Sequence, residues 1–121
     1  VPAAWQVQRD DMHAFEPLCW PFVDLLRSVD AVLTKPGYGT FTEAACNGAA
    51  VIYQRRDNWP EQECLIDWLR AHARCAEVSA TDLAAGNLGA ALASCEKAAV
   101  PPALTFDGAD DAAHRLRALL A

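Results

Sequence analysis

The chain has 121 residues, of which 53% are hydrophobic, and a formal net charge of -6. This is about one domain's length and enough to bury a core, although a complete doubly wound nucleotide-binding domain is usually larger, so we expect a single domain over residues 1–121 that is a piece of a longer protein. The negative charge argues against nucleic acid as a partner, and the lack of a signal peptide or of an apolar run of roughly 18 to 20 residues predicts a soluble, cytoplasmic protein without a membrane span.

Short apolar runs alternate with longer amphipathic ones, which is typical of repeated βα units and a parallel sheet. Residues 5–8 are predicted to form a weak first strand. A helix over residues 22–29 leads to a second strand at residues 31–34. The next predicted helix covers residues 40–47. Gly48 follows it, at the position where a residue in the left-handed conformation commonly ends a helix.

The alternation continues with a strand at residues 51–53 and a helix over residues 60–72. Asp57 or Asn58 is expected to cap that helix, because either side chain can accept a hydrogen bond from a free N–H group of the first turn. A further short strand is predicted at residues 75–78.

Three helical segments close the chain. A brief one is predicted at residues 81–85, one at residues 88–97 with Asn87 as its cap, and a last one that begins at Asp107. The last helix has acidic residues early and basic residues late, as suits the helix dipole. Its apolar side consists of Ala109, Ala112, Ala113, Leu116, Leu119 and Leu120.

These elements predict an α/β fold: a three-layer, Rossmann-like partial domain with a short, mostly parallel sheet of three to four strands and helices on both faces. In the usual doubly wound order, two central strands would separate residues 5–8 from residues 31–34, and this chain does not contain them. Either residues 5–8 pair directly with the strand at residues 31–34, or that strand exposes an edge that recruits a second chain. In the second case, because unpaired N–H and C=O groups are a template for association, we expect a tendency to form a homodimer through that edge.

A glycine-rich segment follows the strand at residues 31–34, in which Gly37, Tyr38, Gly39 and Thr40 lead into the next helix. Glycines let backbone amides approach a ligand closely, and the free N–H groups at a helix start face any anion in the loop. Closely spaced glycines more commonly just make a turn. Here they stand after a buried strand and before a helix, where ligands bind in open α/β sheets, so the pattern predicts a place to hold a diphosphate.

Glu43 has two interpretations. Thr40 and Glu43 have the spacing of a capping box, in which each side chain accepts a hydrogen bond from the other residue's backbone N–H. Alternatively, the Glu43 carboxylate faces the site and accepts hydrogen bonds from two ribose hydroxyls. Spacing alone does not decide between them.

A second polar group follows the strand at residues 51–53, on the same edge of the sheet. Arg55 and Arg56 have two interpretations. Either both are solvated at the edge, or one of them binds phosphate, since a guanidinium can donate two hydrogen bonds to a phosphate group. Glu61 and Gln62 lie in the first turn of the following helix, where an acidic residue is favoured in any case.

No metal site and no cofactor are expected. The five cysteines form no C-x-x-C pair and the three histidines are far apart. Ligand residues for a structural metal are usually closely spaced, and no carboxylate pair or D-x-D motif lies near the glycine loop.

Residues 30–43, which read Asp-Ala-Val-Leu-Thr-Lys-Pro-Gly-Tyr-Gly-Thr-Phe-Thr-Glu, resemble the carboxyl-terminal, donor-binding half of GT-B glycosyltransferases. Three further short segments, at residues 47–48, 55–57 and 60–63, extend the likeness. Within that family the chain is similar to the transferases that complete the peptidoglycan lipid precursor and to the glycosyltransferase-like region of arabinose kinases.

The resemblance implies a site for a nucleotide diphosphate sugar, with a UDP-sugar as the first expectation. It implies that Gly37 and Gly39 lie against the diphosphate, that Glu43 binds the ribose and that Gln62 contacts the donor sugar. The parent protein would transfer the glycosyl group to an acceptor hydroxyl. Because the acceptor domain, which usually supplies the catalytic base, is absent, we assign no catalytic residue and expect this piece alone to be inactive. The alternative is a non-catalytic nucleotide-binding or protein-interaction module of the same fold.

Overall fold

The computed structural model describes residues 1–6, 8–105 and 107–120. Its centre is a three-stranded parallel sheet with the strands in the order β1, β2, β3. The strands are β1 (Ala31–Thr34), β2 (Ala50–Tyr53) and β3 (Cys75–Glu77). The register pairs Thr34 with Tyr53 and Tyr53 with Glu77, so the carboxyl ends of the strands are aligned at one edge.

Six α-helices accompany the sheet in the described part of the chain. They are α1 (Phe22–Arg27), α2 (Tyr38–Asn47), α3 (Gln62–His72), α4 (Ala80–Ala85), α5 (Gly89–Lys97) and α6 (Gly108–Leu120). Short 3-10 helices at Ala3–Trp5 and Glu16–Leu18 lie in the amino-terminal segment. Every residue from 107 to 120 is exposed, so α6 contributes nothing to the core.

The sheet is covered on both faces, because all four residues of β2 are buried and alternate between the two sides. On one face, Val51 and Tyr53 pack with α1, α2 and α3. The side chains that those helices contribute are Leu26, Phe41, Ala44, Leu65, Ile66 and Leu69. On the other face, Ala50 and Ile52 pack with α5. The predicted three-layer α/β architecture with a short parallel sheet is thereby confirmed.

The edge of the sheet at β1 is open. The carbonyl oxygens of Asp30 and Thr34 accept hydrogen bonds from the N–H groups of Ala50 and Gln54, at 3.0 and 3.2 Å. Alternate residues of a parallel strand bond to opposite neighbours, so the backbone groups of Leu33 point away from β2. The Leu33 side chain is 43% exposed. An exposed edge is present, and association through it stays a prediction.

The first predicted strand is wrong. At residues 5–8 the described positions form no strand: Trp5 ends a 3-10 helix and Gln6 is left-handed, with φ of 47°. Val7 lies outside the described residues. The Glu16 carboxylate accepts a hydrogen bond from the Ala3 N–H at 2.9 Å, so this segment is tied to its own neighbourhood instead of to the sheet.

Two predicted helix caps are also wrong. The helix predicted from residue 60 begins at Gln62 without a side-chain cap, and Asn58 takes a left-handed conformation with φ of 52°. Asn87 does not cap α5. Its N–H instead donates to the Asp82 carbonyl at 2.8 Å and closes the end of α4, where Gly86 is left-handed.

The predicted cap at Gly48 is confirmed. Gly48 ends α2 in the left-handed region, with φ of 78°, a conformation that glycine adopts without a steric cost. None of the helices in the described ranges is long and apolar enough to cross a bilayer.

Candidate functional site

The candidate site lies at the edge of the sheet where the strands end. Three segments meet there: the loop from Lys35 to Gly37 after β1, residues 54–61 after β2, and Glu77 at the end of β3. This is the side on which open α/β sheets bind ligands. The sequence predicted both of the first two segments and missed the third.

Helix α2 begins two residues earlier than predicted. Gly37 is its N-cap, in an extended conformation with φ of -169°, and no side chain caps the helix. Thr40 is therefore the third helical residue, and the predicted capping box of Thr40 and Glu43 is not formed. The first-turn N–H groups of this ten-residue helix have no side-chain acceptor among the residues that the structure describes.

The space at the Cβ positions of Gly37 and Gly39 is open. A Cβ atom on Gly39 would meet no heavy atom within 4 Å, and one on Gly37 would meet only the Lys35 carbonyl oxygen, at 3.9 Å. Packing in the folded chain therefore does not require either glycine to lack a side chain. Both instead leave the helix start accessible to an anion, which the helix dipole and the free N–H groups favour.

Glu43 lies one turn along α2 from Gly39, on the same face of the helix. Its side chain is half-buried, and no described residue donates a hydrogen bond to its carboxylate or forms an ion pair with it. Thr40, also half-buried, lies three residues before it on that face. With the capping box excluded, the carboxylate remains available to an outside donor.

Tyr38 connects the starts of α2 and α3. Its hydroxyl donates to Glu61 Oε2 at 3.2 Å, and its ring meets Trp59 edge-on, with 6.4 Å between ring centroids and an interplanar angle of 88°. The hydrogen bond to Glu61, together with the negative charge of that carboxylate, raises the pKa of Tyr38. Tyr38 and Glu61, both predicted site residues, are thus brought together across the loop.

Arg55 and Arg56 have different surroundings. Arg55 Nε donates to both carboxylate oxygens of Glu77, at 3.0 and 3.1 Å, and its NH1 group forms an ion pair with Glu63. The hydrogen bond to Glu77 is the main cause of the raised pKa of the Arg55 guanidinium. Arg56 instead lies over the ring of Trp59, 4.7 Å from its centroid, and makes no ion pair with any described residue. Of the two, Arg56 is the cation free to meet an anion.

Gln62 holds the backbone of Arg56. The Arg56 N–H donates to Gln62 Oε1 at 2.9 Å, and Gln62 Nε2 donates to the Arg56 carbonyl at 2.8 Å. An amide side chain has two donor hydrogens and two acceptor lone pairs, so one of each remains for a ligand. The side chain therefore positions the arginine loop whether or not it also contacts a ligand.

Three residues that sequence reasoning did not assign belong to this edge: Trp59, Glu63 and Glu77. Trp59 lies two residues after the Arg-Arg-Asp triplet, and its position between two polar groups was the available signal. Glu77 is 22 residues from its partner Arg55, and only the register of β3 against β2 brings them together. No local pattern predicts such a pair.

Two clefts of about 380 Å³ each lie at opposite ends of the sheet. One is beside the start of α3 and is lined by Asn58, Trp59, Pro60, Gln62 and Glu63. The other lies at the amino ends of β2 and β3, between Gly48, Arg74 and Pro101. Ligands of open α/β sheets bind at the carboxyl ends, so only the first belongs to the candidate site.

Within the described ranges, no group of three or more His, Cys, Asp or Glu side chains could hold a metal ion.

The fold and this edge define a class of protein: an open three-layer α/β unit, consistent with a partial Rossmann-like domain. In comparisons with known proteins, no family model, no curated protein and no solved structure matches the chain.

Proposed function

We propose that the chain is the donor-binding part of a GT-B glycosyltransferase and holds a nucleotide diphosphate sugar, a UDP-sugar first among them. The observation that supports this most directly is the uncapped start of α2 with open space beside Gly37 and Gly39. A diphosphate there would accept hydrogen bonds from the free N–H groups of the helix. In the intact enzyme the same groups would stabilise the departing nucleotide diphosphate while an acceptor hydroxyl attacks the anomeric carbon.

Each remaining site residue has a role in this proposal. The Glu43 carboxylate accepts hydrogen bonds from the ribose hydroxyls, and Arg56 supplies a positive charge to the diphosphate. Gln62 offers its remaining N–H and lone pair to the donor sugar while it holds the Arg56 backbone. The proposal places the protein in the cytoplasm, where free thiols such as its unpaired cysteines persist.

The second candidate is a non-catalytic module of the same fold that binds nucleotide or a protein partner. One observation favours it: Glu63 and Glu77 already neutralise Arg55, and Glu61 adds another carboxylate to the same edge. A diphosphate would approach a surface with more acidic than basic groups, which weakens its attraction.

Chemical-shift mapping with UDP, UDP-sugars, TDP and ADP distinguishes the two candidates. The donor-site proposal predicts saturable shifts centred on residues 37–43 and 55–62, strongest with one nucleotide base. Resonances of residues 73–74, at the opposite edge of the sheet, serve as the internal control and should not move. No response to any nucleotide at millimolar concentration would contradict the donor site and leave a protein-interaction role.

A further inference from the structure

The side chain of Trp59 is held in place on several sides. Its ring packs against the core that β2 forms with α1, α2 and α3, and the Tyr38 ring meets it edge-on, with 6.4 Å between centroids. The Trp59 carbonyl oxygen accepts a hydrogen bond from the Gln62 N–H at 3.2 Å. Tyr38 is fixed in turn, because its hydroxyl donates to Glu61 Oε2 at 3.2 Å. The Trp59 ring is therefore a fixed surface beside the first turn of α3.

The guanidinium of Arg56 lies on this surface. Its central carbon is 4.7 Å from the centroid of the Trp59 ring, which is within the range of a favourable cation–π contact. The Arg56 side chain is otherwise exposed and forms no ion pair with any described residue. An arginine that meets a ring with its flat face keeps the N–H groups in its plane free for an anion. The ring thus orders the cation without neutralising it.

The same contacts connect this cation with the start of α2. Tyr38 is the first residue of α2, so its backbone N–H is one of the first-turn groups without a described side-chain acceptor. The side chain of the same residue touches the Trp59 ring on which Arg56 lies. The helix start and the free cation are therefore joined through two aromatic rings.

We infer that Trp59 is a positioning residue, which holds the Arg56 guanidinium beside the start of α2 so that both groups act on one diphosphate. This inference rests on the proposed function, because the diphosphate is the ligand proposed there. Without the ring, an exposed and flexible arginine would have to be ordered at the moment of binding, and the lost side-chain entropy would weaken the affinity. Trp59 itself needs no contact with the ligand for this effect.

The first measurement that tests this inference needs no ligand. Protons that lie over an aromatic ring are shielded by its ring current, so the side-chain protons of Arg56 should resonate upfield of their ordinary arginine positions. Trp59→Leu should return them to those positions, and Trp59→Phe should retain much of the shift. Identical Arg56 resonances in the unaltered chain and in Trp59→Leu would overturn the inference.

Calorimetric titration with UDP supplies the second measurement. Trp59→Leu should bind UDP about fivefold more weakly than the unaltered chain, and Trp59→Phe should bind more tightly than Trp59→Leu, since a phenyl ring still offers a face to the cation. In a chain that already carries Arg56→Gln, Trp59→Leu should change the affinity by less than about twofold, because no guanidinium remains to be positioned. The full loss in that background would overturn the inference, since Trp59 would then act without Arg56.

Trp68→Leu is the matched control. Trp68 is also half-buried and packs against the same core, but it stacks on His72 at the far end of α3. Its substitution should lower stability and leave the UDP affinity unchanged, which separates positioning from a general loss of packing. UDP binding that is unchanged in Trp59→Leu would overturn this inference alone. No UDP binding by the unaltered chain would overturn the proposed function, and this inference with it.

Discussion

Gln62 and Arg56 are joined by two hydrogen bonds between one side-chain amide and the backbone N–H and C=O groups of one residue, at 2.9 and 2.8 Å. The contact fixes the loop after β2 to the first turn of α3, which explains why that helix begins at Gln62 without a cap from Asp57 or Asn58. It also sets where the Arg56 side chain leaves the backbone. The loop is therefore held in place before any ligand binds.

Replacing Gln62 should loosen this loop and destabilise the fold. Gln62→Ala removes both hydrogen bonds, and we expect a loss of about 1 to 2 kcal/mol in the free energy of unfolding, measured with urea. Gln62→Glu keeps the acceptor and loses the donor, so its loss should be smaller. Asp67→Asn, on the exposed side of the same helix, is the control and should change stability by less than about 0.5 kcal/mol. Equal stability in all of these variants would show that the contact does not hold the loop.

Substitution of Arg56 should affect nucleotide binding, and substitution of Arg55 should affect stability. Arg56→Gln should weaken binding of a nucleotide diphosphate by roughly 1 to 3 kcal/mol, the range for a lost hydrogen bond to a charged group, and leave stability unchanged. Arg55→Gln should instead lower the urea midpoint, because it leaves Glu63 and Glu77 without their shared cation. Calorimetric titration and urea unfolding of both variants provide the comparison. If Arg55→Gln were the variant that lost nucleotide affinity, our assignment of the free cation would be reversed.

Glu43→Gln should weaken nucleotide binding by roughly 1 to 3 kcal/mol, because glutamine removes the charge that accepts the ribose hydroxyls. Stability should not fall, since the carboxylate caps no helix in this structure. Glu96→Gln, an exposed glutamate on α5, is the control for the change in net charge. Unchanged nucleotide affinity in Glu43→Gln would contradict the ribose-binding role.

Stability should fall as the solution becomes alkaline. Burial raises the pKa of Cys75, Cys95 and Tyr53 above their ordinary values of 9.0 for a thiol and 10.0 for a phenol. Above those values the unfolded chain loses protons that the folded chain retains, so the free energy of unfolding decreases with rising pH. The stabilisation is complete below the unfolded-state pKa and is lost as the pH rises through the folded-state pKa.

Urea unfolding at a series of values from about pH 8 to 11 measures this slope. Cys95→Ala should reduce the slope, whatever it does to the overall stability, because it removes one buried ionisable group. Ser94→Ala, the exposed neighbour, should leave the slope unchanged. A slope that is identical in both variants would mean that the Cys95 thiol does not contribute.

The sheet was predictable because its strands are short apolar runs with clear boundaries. The bounds of β1 match the prediction, and β2 and β3 differ from it by one residue at one end. Repeated βα units also predicted parallel pairing and helices on both faces. These features depend on local periodicity, which a single sequence contains.

The start of α2 could not be placed, because a capping-box pattern at Thr40 competed with the extended backbone of Gly37. Asn87 has a side chain that favours a cap, yet its N–H closes the preceding helix. The pairing of Arg55 with Glu77 depends on strand register, which no spacing along the chain reveals. Local propensity identified the site segments, and tertiary geometry decided which of their groups are free.

The central claim is that the open start of α2 binds a nucleotide diphosphate. A matched pair of glycine variants tests this claim most directly. Gly39→Ala and Gly89→Ala each add one methyl group near the start of a helix, at positions where nothing lies within 4 Å, so both should fold. Calorimetric titration with UDP should show at least tenfold weaker binding for Gly39→Ala, because the methyl group occupies the approach to the helix N–H groups, and unchanged binding for Gly89→Ala. Equal affinity of the two variants, or no binding of UDP to the unaltered chain, would contradict the account.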